Sequence, residues 1–340
     1  MDVLNFLHEM IFSDVKIDFR EVEVGWKGFK SQGSSLPEES VRSMEACDGL
    51  ILGPLDVGKY PAEDPGGPSP SGHIRKHFDL FANIRPTVSY GINSSYPDGD
   101  VDLVIVRENT EGFYADRNMF MGSGEFMPTQ DVAMALRVVT RKGSERIIRE
   151  AFRIASSRRR HVTAVHKGNV LKISDGMFLQ VFDKISKEFP NINSDNKIVD
   201  AMAFDILRSP QKYDVIVTTN MFGDILSDEA AGIAGSLGLA PSLNSGENYA
   251  MAQAVHGSAP DIAGKGISNP IAEILSCGML LEWLGQRNRD SKLIKMSELI
   301  SVATRKMIKR RENLTPDLGG NGNTESVTRG IISNIEGVHK

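Results

Sequence analysis

Asn220-Met-Phe-Gly-Asp224-Ile-Leu-Ser-Asp228 follows the apolar run Tyr213-Asp-Val-Ile-Val217 and leads into Glu229-Ala-Ala-Gly-Ile-Ala-Gly235. The apolar run reads as a buried strand and the small residues as the body of a helix, so the stretch is a strand-to-helix unit. Asp224 and Asp228 are four apart, and a helix puts both carboxylates on one face. Two like charges there repel unless something positive lies between them. All-oxygen donors suit a hard divalent ion, Mg2+ or Mn2+. A solvated acidic helix start is the plainer alternative, and the stretch alone leaves both open.

Outward from this unit, short apolar or β-branched runs alternate with helical stretches. Residues 16–19, 49–52, 101–106, 162–165 and 215–217 read as strands, and 38–47, 143–157, 175–189 and 272–285 as helices. That alternation predicts an α/β class. Residues 60–72, rich in Pro, Gly and Ser, read as a loop, and 122–128 as another break. Val3, Leu4, Leu7, Met10 and Ile11 fall on one helical face. A flexible loop around Asp317 precedes a last helix.

Composition sets the class. At 340 residues the chain has room for about two domains. A net charge of −5 and no long basic run argue against nucleic acid as a partner. Cys47 and Cys277 form no CxxC or zinc spacing, which points to reduced thiols. No segment has the length of a membrane span, and residues 1–12 lack the basic start of a signal peptide. The expected location is cytoplasmic.

Three arginines, Arg75, Arg85 and Arg107, stand near strand ends. A guanidinium fork binds a carboxylate at two points, so three suit a di- or tricarboxylate, although a lone arginine is ordinarily a surface residue. Tyr114 follows Arg107-Glu-Asn-Thr-Glu-Gly112, and Lys167 directly follows an apolar strand. Both have reference pKa values near 10; acid–base work near neutrality needs a fall of about 3, an effect of about 4 kcal/mol. A core tyrosine and a surface lysine are the bland alternatives. The loop His256-Gly-Ser-Ala-Pro-Asp261-Ile-Ala-Gly-Lys-Gly-Ile-Ser-Asn269-Pro270 is built of small residues that let a backbone approach a flat ligand or a phosphate. No GxGxxG follows a strand, so a Rossmann site is not supported.

Together these segments resemble the β-decarboxylating dehydrogenases, the isocitrate and isopropylmalate dehydrogenase family, from about residue 21 to 327. The resemblance implies a two-domain fold of the isopropylmalate dehydrogenase type, with a large mixed sheet flanked by helices. A discontinuous large domain would span 1–80 plus 236–340, and an inserted small domain, 81–235, would carry the dimer contact. It implies a homodimer with shared active sites. Arg75, Arg85, Arg107 and Tyr114 would come from one chain, Lys167 and Asp200 from its partner. Asp200 would join Asp224 and Asp228 of the other chain around Mg2+ or Mn2+. His256, Gly257, Ser258, Ala259, Asp261, Ile262 and Asn269 would bind the adenosine part of NAD, with Asp261 reading the ribose.

The implied reaction is oxidation at C2 and loss of CO2 from a 3-carboxy-2-hydroxy acid, with Lys167 as base and Tyr114 as acid. Two departures stand out. The chain lacks the family's opening strand and Gly-Asp-Gly-Ile-Gly loop, which implies lowered stability and leaves a regulatory or inactive truncated homologue as the non-enzyme alternative. Gln253-Ala254 stands where Glu-Pro is common. The substrate reading rests on Ser69 and Ser71, hydroxyls able to bind a polar C3 substituent. It favours isocitrate or homoisocitrate over 3-isopropylmalate, for which Ile74 would offer an apolar patch, with tartrate or D-malate behind.

Overall fold

The computed structural model describes residues 1–55, 69–114 and 124–339. Among these the strands are β1 (Leu50–Ile51), β2 (Ala82–Val88), β3 (Asp102–Glu108), β4 (Glu125–Thr129), β5 (Val132–Ala135), β6 (His161–His166), β7 (Asn193–Ile198), β8 (Val215–Thr218), β9 (Leu243–Ser245) and β10 (Ala250–Ala252). The helices are α1 (Asp2–Phe6), α2 (Trp26–Gln32), α3 (Glu38–Glu45), α4 (Pro70–His77), α5 (Arg141–Ser156), α6 (Ser174–Ser186), α7 (Val199–Arg208), α8 (Asn220–Ala234), α9 (Ile271–Asn288), α10 (Ser291–Lys309) and α11 (Thr324–His339). Eight strands form one mixed sheet in the order β1-β10-β9-β2-β3-β8-β6-β7; β4 and β5 pair separately. From β3 to β7 the neighbours are parallel, while β9, β2 and β3 pair antiparallel.

The alternation along β3 decides the layering. Val104 and Val106 pack with Ile147, Ile148 and Phe152 of α5 and Phe178 and Phe182 of α6. Leu103 and Ile105 pack on the other face with Met202 and Ile206 of α7 and Leu226 and Ala230 of α8. A strand covered on both faces has no polar side, which is why 101–106 reads as a continuous apolar run. A further core gathers α9, α10 and α11 around Leu243, Ala250 and Ala252. The predicted α/β fold with a large mixed sheet flanked by helices is the one observed.

Several local readings change. Residues 16–20 have no ladder partner and are not a strand. Residues 60–68 of the expected loop lie outside the described residues, and Pro70–Gly72 open α4 instead, capped by Ser69. Within the expected break at 122–128, residues 122 and 123 lie outside the described residues. The remainder enters β4, whose register slips between Phe126 and Thr129, around Pro128, which has no N–H to give. Helix α10 went unread although Met296, Leu299, Ile300, Ala303 and Met307 recur at helical spacing and are buried.

Candidate active site

Register aligns the polar residues. Asn244 of β9 pairs with Asn83 of β2, Asn83 with Arg107 of β3, and Arg107 with Thr218 of β8. Arg85 lies two residues from Asn83 and points to the same face. That face is covered by α8, so two arginines lie beneath the helix carrying the two aspartates.

Arg107 is only 3% exposed. Its Nε and Nη2 donate to Asn220 Oδ1 at 2.9 and 2.6 Å, and its Nη1 donates to Asp224. Gly223 makes this close approach possible, because a Cβ there would meet Arg107 Cβ at 2.6 Å. Arg85 Nη1 donates to Ser227 Oγ at 2.6 Å and lies 3.2 Å from Asp224 and 3.3 Å from Asp228. Burial pulls the Arg85 pKa down to about 10, helped by the nearby Arg107 charge and opposed by the two aspartates. Burial likewise raises Asp228, against the pull of Arg85. The positive charge needed between Asp224 and Asp228 is therefore supplied, in this chain alone, by Arg85.

Tyr114 Oη donates to Asp224 Oδ2 at 3.4 Å, and the Arg107 guanidinium lies 5.9 Å from the centre of the Tyr114 ring. Arg75 of α4 donates to Asn109 Oδ1 at 2.8 Å, and its Nε donates to the Ser71 carbonyl. The turn beyond Arg107 is fixed by Glu108, whose carboxylate accepts from Thr110 N, Thr110 Oγ1 and Glu111 N at 2.7–2.8 Å. Burial pushes Glu108 above the usual carboxylate range.

Lys167 and Asp200 lie apart from this group and pair with each other. The hydrogen bond from Lys167 holds Asp200 below its ordinary pKa. Among the described residues no three His, Cys, Asp or Glu side chains converge on a metal position. Asp224 and Asp228, which meet at the Arg85 guanidinium, offer oxygen-only donors that fit Mg2+ or Mn2+ in kind, while Asp200, the third aspartate expected there, is not beside them. Lys167 itself is anchored: its N–H donates to Asp175 Oδ2 at 2.6 Å, and Asp175, fully buried, pairs with Arg137 at 2.6 Å. Arg137 also donates to Thr219 Oγ1 at 3.0 Å, tying this anchor to the start of α8.

Of the two serines, Ser69 accepts from Gly72 N at 3.2 Å as the cap of α4, leaving its own proton to donate. Ser71 donates to Gln253 Oε1 at 3.0 Å, which gives the unusual glutamine a partner. Ile74 is 1% exposed in the core beneath β1 and is closed to any ligand.

The loop between β10 and α9 holds His256, Gly257, Ser258, Ala259, Asp261, Ile262 and Asn269 together on the surface. Ala259 has φ 42°, a left-handed conformation unusual for a residue with a Cβ. Asn269 Oδ1 accepts from Ile271 N, and its Nδ2 donates to Asp317 Oδ2 at 3.0 Å. Sequence reasoning missed Asn83, Asn109, Arg137, Asp175, Ser227 and Asn244. Nothing in the sequence singled out Asn83 or Asn244, since β2 also carries Arg85 and Thr87 and β9 is only Leu243-Asn-Ser245.

The sequence profile of the isocitrate/isopropylmalate dehydrogenase family matches residues 1–335. The chain belongs to this family of β-decarboxylating dehydrogenases. Homoisocitrate dehydrogenase of Methanocaldococcus jannaschii is 43% identical over 92% of this chain and 88% of that protein. Isocitrate/homoisocitrate dehydrogenase of Thermus thermophilus is 42% identical, covering 94% and 90%. The 3-isopropylmalate dehydrogenase of Sulfurisphaera tokodaii is 40% identical, covering 94% and 89%. Among solved structures, isocitrate dehydrogenase from Methylococcus capsulatus superposes with a TM-score of 0.85 at 38% identity, over 98% of this chain and 94% of that one. The chain is thus an oxidoreductase of this family. No helix among the described residues is long and apolar enough to cross a membrane.

Proposed function

We propose that this chain carries out the NAD- and Mg2+- or Mn2+-dependent oxidative decarboxylation of a 3-carboxy-2-hydroxy acid, of the isocitrate or homoisocitrate type. The observation that carries the reading is the arginine pocket: Arg85 and Arg107, both buried, sit beneath two convergent aspartates, with Arg75 tied in beside them through Asn109. Guanidinium groups gathered this closely suit a ligand with several carboxylates. When bound, the metal would draw charge from the C2 oxygen and the nicotinamide would accept the hydride from C2.

The chain's own residues do the rest. Asp224 and Asp228 would hold the metal with Asp200 of a second copy. Arg75, Arg85 and Arg107 bind the malate core. Lys167, from the second copy, takes the hydroxyl proton. Tyr114 delivers a proton to C3 after the C3–carboxyl bond breaks. The loop 256–269 takes the adenosine end, where the Asp261 carboxylate accepts from ribose hydroxyls and repels a 2′-phosphate.

The homodimer belongs to the same reading. Phe204 and Leu207 of α7 and Ile225 of α8 are 63%, 57% and 60% exposed, an apolar face suited to a second copy. The division into 1–80 plus 236–340 and 81–235 belongs to it too, as does action in the cytoplasm on a small molecule without nucleic acid or membrane. Burial of Ile74 removes the apolar patch that favoured isopropylmalate, while Ser69 keeps a proton for a polar substituent. The test is catalytic efficiency, read by reduced-nicotinamide absorbance with Mn2+, on isocitrate, homoisocitrate, 3-isopropylmalate and D-malate, each with NAD and NADP. The expected optimum is a tricarboxylate with NAD. A best rate on isopropylmalate refutes the serine argument, equal efficiency with NADP refutes the role of Asp261, and no turnover favours the inactive homologue.

A further inference from the structure

A continuous line of buried amides joins Arg75 to Arg85. Arg75 Nη1 donates to Asn109 Oδ1 at 2.8 Å, and Asn109 Nδ2 donates to Asn244 Oδ1 at 3.0 Å. From the other side, Arg85 Nε donates to Asn83 Oδ1 at 2.7 Å, and Asn83 Nδ2 donates to the same Asn244 Oδ1 at 2.7 Å. Asn109, Asn244 and Asn83 are 0%, 1% and 3% exposed.

Donor and acceptor rules fix the direction of every link. A guanidinium only donates, so Asn109 and Asn83 must each turn an oxygen toward an arginine. Their NH2 groups then point inward, and whatever stands between them must accept twice. An amide oxygen, with two lone pairs, does so. A side chain of the same size without that oxygen would bury two N–H groups with nothing to receive them.

We infer that Asn244 is a positioning residue for substrate recognition, holding Arg75 and Arg85 at a fixed mutual setting through Asn109 and Asn83. The inference rests on the proposed reading, in which these arginines grip substrate carboxylates. Asn244 touches no ligand itself: it lies on β9, between β10 and β2, with its backbone in both ladders. What it contributes is rigidity. Two guanidinium groups, tied through Asn109 and Asn83 to the one Asn244 oxygen, present carboxylate sites at one spacing, which tells a tricarboxylate from a shorter acid. Arg75 sits on a helix and Arg85 on a strand, so their relation depends on this link as well as on the backbone.

The experiment compares Asn244→Leu, of similar size without an acceptor, with Asn244→Asp, which keeps an oxygen facing both amides. For Asn244→Leu the expected result is a KM for the tricarboxylate raised about tenfold or more, kcat within about threefold of wild type, and a reduced preference over D-malate. Asn244→Asp should return KM to within about threefold. A purely structural role would lower the melting temperature and the active fraction and leave KM and preference alone; that outcome overturns the inference. Asn244→Ser, whose shorter hydroxyl reaches only one amide, carries the test if Asn244→Leu does not fold, with KM expected between the two. Binding of the acid to each variant with Mn2+, followed by calorimetry, gives a readout independent of turnover. A wild type that binds none of the acids takes down both readings. A wild type that binds, with Asn244→Leu binding equally well, takes down this one alone.

Discussion

Replacing Gly223 by alanine should both destabilise this protein and blunt its recognition of carboxylates. The added methyl would lie 2.6 Å from Arg107 Cβ, 2.7 Å from Cγ and 3.2 Å from Cα. Ordinary carbon contacts begin near 3.5 Å, so α8 and the stem of Arg107 must part by about 1 Å. Neither gives easily. Arg107 is rooted in a central strand, and its guanidinium is held by Asn220 and Asp224, both on α8 itself. Two effects compete. Alanine inside a helix gains about 1 kcal/mol over glycine. Overpacking costs about 1–3 kcal/mol, and a weakened hydrogen bond to a charged group about 1.5–3 kcal/mol more.

The losses outweigh the gain, leaving a net destabilisation of about 1.5–5 kcal/mol, or a fall in Tm of about 2–7 °C for a chain of this size. A displacement of about 1 Å at a binding group can cost about a hundredfold in kcat/KM. Calorimetric melting and steady-state kinetics on the tricarboxylate read the two effects. Gly278→Ala is the control. The nearest atoms to its methyl would be those of Ile300 and Ser297, at an ordinary 3.5–3.7 Å, so the same change in α9 should raise stability by up to about 1 kcal/mol. If Gly223→Ala also gained stability and kept its KM, the close approach of α8 to Arg107 would not be what sets this site.

Two further outcomes follow from buried charge. Burial pushes Glu273 up to about 7 from an ordinary 4.5; one of its oxygens accepts from Ala254 N and the other, buried, has no hydrogen-bond partner among the described residues. Because the folded value is the higher one, the contribution is fully present below about 4.5 and is lost as pH rises through about 7, a cost of about 3 kcal/mol at alkaline pH. Glu273→Gln should therefore raise the Tm at pH ~8 and change it little at pH ~4.5; equal shifts in melts at the two values would contradict this. Arg137→Met leaves the fully buried Asp175 unpaired and should cost about 3–5 kcal/mol. Adding Asp175→Leu should recover much of that stability in denaturant titrations without restoring turnover, since Lys167 N–H then has lost its acceptor; strictly additive losses would refute the coupling.

The residues that made the fold legible and those that hid it are partly the same. Strands β3 and β8 read plainly because both faces are covered and apolar residues run together. Strand β2 did not, because Asn83, Arg85 and Pro86 interrupt its pattern. Two of those three residues belong to the arginine pocket, so the local rule failed where function placed polar groups in a strand. Strand β7, Asn-Ser-Asp-Asn-Lys-Ile, is an exposed edge with no apolar face to betray it. The aspartates and arginines could be named from type and spacing, but not the amides that hold them. Hydrogen bonds between residues 83, 109 and 244 depend on strand register, which emerges only once β9 is paired with β2.

That register also explains why one chain holds its chemical groups in two sets. Arg107, Asn220, Lys167 and Asp200 all lie at or just past the carboxyl ends of parallel strands, β3, β8, β6 and β7 in turn, where open α/β sheets expose their ligand sites. The antiparallel run of β2 brings the start of that strand, with Asn83 and Arg85, to the same end of the sheet. Arg85, Arg107, Tyr114 and the two α8 aspartates cluster there. Lys167 and Asp200 follow β6 and β7 at the far edge, beyond β8, and satisfy each other's charge. On the proposed reading, a second copy paired through the exposed apolar faces of α7 and α8 would supply a third carboxylate for the metal and a base for the hydroxyl. The proposed reaction would then need an assembly, and a monomeric variant carrying charges at Phe204 and Ile225 should retain its fold by circular dichroism and lose turnover; a monomer that stayed fully active would refute the shared site.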